Sequence, residues 1–183
     1  MTLAAAAAIL LGLAVGACGG FALARVRSRT TSRGAGRVHR ILLPFTGTTI
    51  SRRALDAALR LAGAEDATLV PAYLATVPLS LPLDVPIQRE CEKTAFPLLE
   101  AIEQRAARAQ IRVDSRIERG RSYRDALRRI LAEERFDRVI ISATPNEHES
   151  FSSEDIDWLL KRAPAEVLIL RPDPQDTRTV SRA

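Results

Sequence analysis

The chain opens with 24 residues, Met1 to Ala24, that carry no charged side chain and are almost wholly apolar. The next sixteen contain Arg25, Arg27, Arg29, Arg33, Arg37 and Arg40 and no acid. As a helix rising ~1.5 Å per residue, Leu3 to Ala24 would cover roughly 33 Å, enough for the ~30 Å hydrocarbon core of a bilayer. The sequence therefore predicts a transmembrane helix over residues 1–24 and a basic juxtamembrane linker over 25–37. Nothing before Arg25 is charged except the terminal amine, so all the positive charge lies on the C-terminal side of the span. The positive-inside rule then puts the amino terminus outside and the remaining chain in the cytoplasm, a single-pass protein of the cell membrane. Val15-Gly16-Ala17-Cys18 supports a rival reading, an exported lipoprotein with Cys18 lipidated. Against it stand the missing basic n-region and the apolar residues Phe21 to Leu23 beyond the cysteine. Ala4, Ala8, Gly12, Gly16, Gly20 and Ala24 recur every four residues, which puts small side chains on one helix face where two helices could approach closely.

Charge bears on partners. Six of the 27 basic residues precede Ile41, so residues 41–183 hold 21 basic against 22 acidic side chains. The sequence pI near 10 thus reflects the linker rather than the domain. That pattern argues for anionic lipid headgroups at Arg25, Arg27, Arg29 and Arg33 and against nucleic acid. The two cysteines, Cys18 and Cys91, cannot form a disulfide framework, in keeping with a reducing compartment.

Thr30 to Gly36 reads as a flexible linker, and the polar stretch after Pro172 lacks periodicity, which predicts a disordered tail over 174–183. The residues between, 38–173, are of ordinary single-domain size. Apolar runs alternate there with segments of helical period. Val38 to Phe45 reads as a strand, and Ser51 to Ala62 as a helix with Ala54, Leu55, Ala58, Leu59 and Ala62 on one face. Ala67 to Leu74 reads as a second strand, followed by a loop marked by Pro78, Pro82 and Pro86. Ile87 to Ala109 has a long helical pattern that Pro97 should kink or divide. Val113 to Glu118 alternates like an edge strand, and Gly120 ends it. Ser122 can cap a helix with Ala126, Leu127, Ile130 and Leu131 in its buried stripe. Arg138 to Ala143, with Val139-Ile140-Ile141, suits a strand buried on both faces. Ser152 or Ser153 precedes a helix that has Glu154, Asp155 and Asp157 near its start and Lys161 and Arg162 at its end, before Pro164. Glu166 to Leu170 is a fifth strand.

Strict alternation of strand and helix predicts an α/β fold, an open parallel sheet with helices on both faces joined by right-handed crossovers. Ligands in such folds sit beyond the carboxyl ends of the strands, near the switch in strand order. The loops after Phe45, Leu74, Glu118 and Ala143 are therefore the ones to inspect.

Over roughly Val38 to Asp173 the chain resembles the universal stress protein family. The resemblance lies in Arg40-Ile-Leu-Leu-Pro-Phe-Thr-Gly47, Glu118-Arg-Gly120 before an amphipathic helix, Phe136-Asp-Arg-Val-Ile-Ile-Ser142, and Arg162-Ala-Pro-Ala-Glu-Val-Leu-Ile-Leu-Arg171. It implies a five-stranded parallel sheet in the order 3-2-1-4-5, the adenine nucleotide alpha hydrolase-like fold of the UspA-like proteins. It also implies dimerisation through the fifth strand, here Val167, Leu168, Ile169 and Leu170.

Many members of that family bind ATP through an aspartate after the first strand and a Gly-x2-Gly-x9-Gly-Ser/Thr loop after the fourth. This chain departs at each point. Thr46 stands in the aspartate's place, Ser142 and Pro145 occupy the first two glycine positions, Ser153 occupies the third, and the intervening segment is two residues short. Pro145 has no amide hydrogen to offer a phosphate, and Glu147 and Glu149 would repel one. Ordinary ATP binding is expected to be lost. If a pocket is retained, its residues would be Thr46, Gly47, Thr144, Ser152 and Ser153, holding adenosine or a ligand less charged than ATP.

Catalysis is not expected. No Gly-x-Ser-x-Gly elbow, Walker loop or CxxC occurs in the sequence. Glu147-His148-Glu149 has poor metal-ligand spacing. Cys91 and Trp158 read as packing residues, Trp158 alternatively as a dimer contact, and His39 as a surface residue at the linker's edge. The sequence thus predicts a membrane-held, dimeric, non-catalytic binding or scaffolding module of the stress response. The alternative is a nucleotide sensor with an altered adenosine pocket.

Overall fold

The structure, a computed structural model, describes residues 39–48, 50–84, 91–143 and 151–171. The predicted transmembrane segment, the arginines before His39, Thr144 and the tail lie outside the described residues. Among the described residues no helix is long and apolar enough to cross a membrane.

Strand β1 (Arg40–Phe45) leads to helix α1 (Arg52–Glu65), and β2 (Thr68–Thr76) to α2 (Phe96–Arg108). Then follow β3 (Arg116–Gly120), α3 (Tyr123–Glu133), β4 (Arg138–Ser142), α4 (Ser153–Arg162) and β5 (Glu166–Leu170). Serines start three of the helices. The hydroxyls of Ser51, Ser122 and Ser152 accept from the amides of Ala54, Asp125 and Asp155 at 3.3, 3.2 and 3.1 Å, each satisfying a donor that the first helical turn leaves without a partner. All strand pairs are parallel, and the sheet order is β3-β2-β1-β4-β5, as the resemblance implied.

Side chains alternate across a strand, and here both faces are covered. Ile41, Leu43 and Phe45 of β1 pack with Leu69 and Tyr73 of β2, Ile140 of β4 and the inner stripes of α1 and α2, including Leu55 and Ile102. Leu42, Val70, Leu74, Val139 and Ile141 point the other way, against Leu127 and Ile130 of α3 and Leu159 of α4. The unbroken apolar runs of β1 and β4 are thus explained by two cores sharing one sheet.

Two elements differ from the sequence reading. Pro97 stands in the first turn of α2, where its missing N–H is an orphan in any case, and the preceding Cys91–Ala95 forms a separate π-helical turn. The long predicted helix is therefore divided. The edge strand proper begins at Arg116 rather than Val113, which makes only an isolated bridge to Leu69. Between them Asp114 donates its amide to the Leu69 carbonyl at 3.0 Å and turns its carboxylate to Arg40 and Arg116.

Those contacts belong to a polar rim at the amino ends of the strands. Arg40 Nη2 reaches Asp114 at 2.8 Å and Glu134 at 2.6 Å, and Arg116 closes the ring onto the same two carboxylates at 3.0 and 2.7 Å. Asp137 accepts the amides of His39 and Arg40 at 2.7 and 3.0 Å, and Arg138 joins Glu65 of α1 to Glu166 of β5. The Arg116 guanidinium lowers the Asp114 pKa, outweighing burial. Burial pushes the Asp137 carboxyl up, but the two donated amides more than offset it and leave its pKa lowered. Both groups add stability above their unfolded pKa, and it is lost as pH falls through the folded values. Glu118 is opposite: burial, then the nearby Glu133, raises its pKa.

Two outcomes follow from this architecture. A Cβ at Gly120 would collide with the amide of Ala126 and come within 2.8 Å of the Ser122 carbonyl oxygen, all backbone. Gly120→Ala should therefore destabilise the domain by about 1–3 kcal/mol, read as a lower urea midpoint. Because a raised carboxyl pKa favours folding at low pH and loses that contribution as pH rises, Glu118→Gln should raise the melting temperature at pH 7. The gain should shrink towards pH 4; an equal gain at both values would show that charge is not its cause.

Candidate functional site

The strand order reverses between β1 and β4, so the chain leaves these neighbouring strands in opposite directions and opens a crevice beyond their carboxyl ends. Thr46 and Gly47 follow β1 there. Thr46 is buried, at 3% exposure, and Gly47 takes φ 71°, a left-handed conformation that costs glycine little. On the other side Ser142 ends β4, and the Ala143 amide donates to the Leu170 carbonyl at 2.9 Å. The Ser142 hydroxyl is buried and finds no hydrogen-bond partner among the described residues. An unpaired buried hydroxyl costs on the order of 1–3 kcal/mol, so an oriented polar ligand there would recover something.

The head of α4 is capped from within the chain. Ser152 and Asp155 form a capping box: the Asp155 carboxylate accepts the Ser152 amide at 3.2 Å and the Ser152 hydroxyl at 2.9 Å. Arg124 of α3 lies 3.0 Å from Asp155 and 3.7 Å from Glu154. A helix amino terminus attracts anions through its free amides and its dipole. Here two of the chain's own carboxylates, Glu154 and Asp155, stand in the first turn, and Arg124 is paired with them. A polyphosphate at this helix end would meet both acids.

The five residues expected to line a retained pocket are not equivalent. Thr46 and Gly47 adjoin the crevice, and Ser152 is engaged as the cap. Ser153 is exposed and lines an open groove between α3 and α4 together with Arg124, Asp157, Trp158, Lys161 and Arg162, about 570 Å³ in volume. Thr144 lies outside the described residues, as do Pro145, Glu147, His148 and Glu149. Trp158 packs partly against the second core, and Cys91 is buried. No group of three or more His, Cys, Asp or Glu able to hold a metal occurs among the described residues.

Sequence reasoning places Asp155 at the start of α4 but misses Arg124. The Ser-x-x-Asp spacing from Ser152 to Asp155 carries the capping signal, but its consequence for an anion site needed the fold. Arg124 acts on a residue 31 positions away, and no local pattern announces that.

Comparison with known proteins agrees with this geometry. The model of the universal stress protein family (Usp) matches residues 37–171. Among solved structures, a protein of that family from Burkholderia pseudomallei is 21% identical with a TM-score of 0.56, covering 76% of this chain and 99% of its own. A universal stress protein in complex with cAMP is 19% identical with a TM-score of 0.53, over 75% of this chain and all of its own. One from Arabidopsis thaliana with AMP bound is 12% identical with a TM-score of 0.53, over 78% and 97%. No curated protein matches the chain.

The cap gives a direct test. Ser152→Ala should cost about 1 kcal/mol of stability, measured by urea unfolding, whereas Ser153→Ala at the exposed neighbouring position should leave the midpoint unchanged.

Proposed function

This chain belongs to the universal stress protein family, and from that premise we propose that it is a non-catalytic binding or scaffolding module held at the cytoplasmic face of the cell membrane. It acts in the stress response, works as a homodimer and does not bind ATP in the ordinary way. The observation that carries this reading is the capping box at the head of α4, with Asp155 and Glu154 putting two acids in the turn where a phosphate would be favoured. The apolar run 1–24 supports the anchor, and Arg25, Arg27, Arg29 and Arg33 the contact with anionic lipid.

The two sheet edges support the dimer. The β3 edge carries Arg116, Glu118 and Arg119, charges that discourage strand pairing. The β5 edge carries Val167, Leu168, Ile169 and Leu170, with Ile169 37% exposed and Leu160 of α4 57% exposed. An apolar edge of this kind is covered when a symmetric copy pairs with it. Ile169→Pro removes a ladder donor and should convert the detergent-solubilised chain from dimer to monomer in sedimentation, with Ile169→Val remaining dimeric. A dimer undiminished by proline at 169 would exclude β5 as the interface.

A second reading is favoured by one observation, the buried unpartnered hydroxyl of Ser142. Beside Thr46 and Gly47 it could orient an uncharged adenosine, and two structural neighbours were solved with cAMP and with AMP. A chain that senses adenosine in this way should lose most of its affinity in Ser142→Val, measured by calorimetry; unchanged affinity would remove the reading.

A further inference from the structure

The loop after β2 is built in a way that neither the fold nor the crevice explains. Its sequence from Val77 is Val-Pro-Leu-Ser-Leu-Pro-Leu-Asp84, and it carries the most exposed of the large apolar side chains among the described residues. Leu79 is 87% exposed and Leu81 43%, with Pro78 and Pro82 also exposed. Exposed leucines on a loose loop would mean little. This loop is fastened.

Arg121 Nη1 lies 3.3, 2.5 and 2.8 Å from the carbonyl oxygens of Val77, Pro78 and Leu81. Arg119 Nη1 donates to the Asp84 carbonyl at 3.4 Å. The Val77 amide donates to Gly120 O, and the Leu81 amide closes a turn onto Pro78 O at 3.1 Å. Pro78 and Pro82 have no amide hydrogen to satisfy. Both backbone groups of Leu81 and the carbonyls of Pro78 and Asp84 are thus paired within the protein, which fixes the loop while Leu79 and Leu81 remain exposed.

Around the tip the charge is mainly positive. Arg119 and Arg121 make no ion pair among the described residues, and Arg121 is exposed; Asp84 is the one acid in the loop. Apolar side chains beside arginines without an ion pair suit an anionic lipid surface, the leucines entering the interface and the guanidinium nitrogens not bonded to the loop meeting headgroup phosphates. The chain supplies a reason for lipid over another occupant. Its run 1–24 is long and apolar enough to span a bilayer, and the fourteen residues 25–38 that follow could extend to roughly 50 Å at most. The nine residues of β2 span only about 30 Å, so the far end of the sheet is within reach.

We propose that the Val77–Asp84 loop is a second membrane contact, docking through Leu79 and Leu81 and through Arg119 and Arg121 onto anionic lipid. This rests on the anchored reading above. Two weak contacts on one tether reinforce each other, because the second forms at high effective concentration.

The test uses the full chain with Cys18 and Cys91 replaced by alanine, its fold checked by circular dichroism, and an environment-sensitive fluorophore at Ser80→Cys or, as a control, at Arg108→Cys. The vesicles are phosphatidylcholine with or without phosphatidylglycerol, and a portion carries nitroxide-labelled lipid. The proposal expects co-flotation, with emission at 80 blue-shifted and quenched roughly threefold more than at 108. This difference should fall when phosphatidylglycerol is omitted or when Leu79→Asp is added. Co-flotation with equal, weak quenching at both positions would overturn the loop contact and leave the anchor standing. Failure to float would overturn both. A blue shift at 80 that needs no vesicles and grows with protein concentration would assign the tip to a second copy of the chain and overturn lipid as its occupant.

Discussion

Everything in the domain is arranged around the double-sided burial of β1. Ile41, Leu42 and Leu43 are at most 1% exposed and alternate between the two cores, so this strand has no polar side to give to water. It must be central, flanked by β2 and β4, with helices above and below. Central placement makes β1 the point where the strand order reverses, and the reversal opens the crevice at Thr46 and Ser142. The location of the candidate site is thus a consequence of how apolar the first strand is.

The two ends of the sheet are treated differently. At the amino ends, Arg40, Asp114, Arg116, Glu134, Asp137 and Arg138 form closed networks in which the charges answer one another. Such partly exposed rings contribute modest stability, but they fix where β1 begins and hold β3 and α3 in register with it. At the carboxyl ends the groups are hydroxyls, a positive-φ glycine and a capped helix head. Glu154 and Asp155 put two acids in the first turn of α4, where the helix dipole would favour an anion. With Thr46 after β1 and Ser142 at the end of β4, they carry the proposed departure from a phosphate binder.

Much of this was legible in the sequence because it is local. Val139-Ile140-Ile141 announces a strand buried on both faces, Ser122 and Ser152 announce helix starts, and the 3.6-residue spacing of Ala54, Leu55, Ala58 and Ala62 announces the inner face of α1. The strand order came with the family resemblance, since periodicity says nothing about neighbours in a sheet. What was not legible depends on partners far apart in the chain. Arg121 fastens carbonyls 40 to 44 residues away, Arg124 turns towards Asp155, and Asp114 is paired by Arg40, 74 residues earlier in the chain. Arginine hydrogen bonds of this kind leave no periodic trace. The division of the long helix was signalled by Pro97, but the π-helical form of Cys91–Ala95 had no signal of its own.

On the proposed reading, the carboxylates of Glu154 and Asp155 at the helix head exclude polyphosphate from the crevice. Calorimetry on the full chain in lipid nanodiscs, titrated with magnesium ATP and compared with the Glu154→Gln, Asp155→Asn double variant, measures this exclusion. The native chain should show no ATP binding up to about millimolar concentration, and removing the two charges should raise the apparent affinity at least roughly tenfold. Micromolar ATP binding by the native chain would contradict the reading.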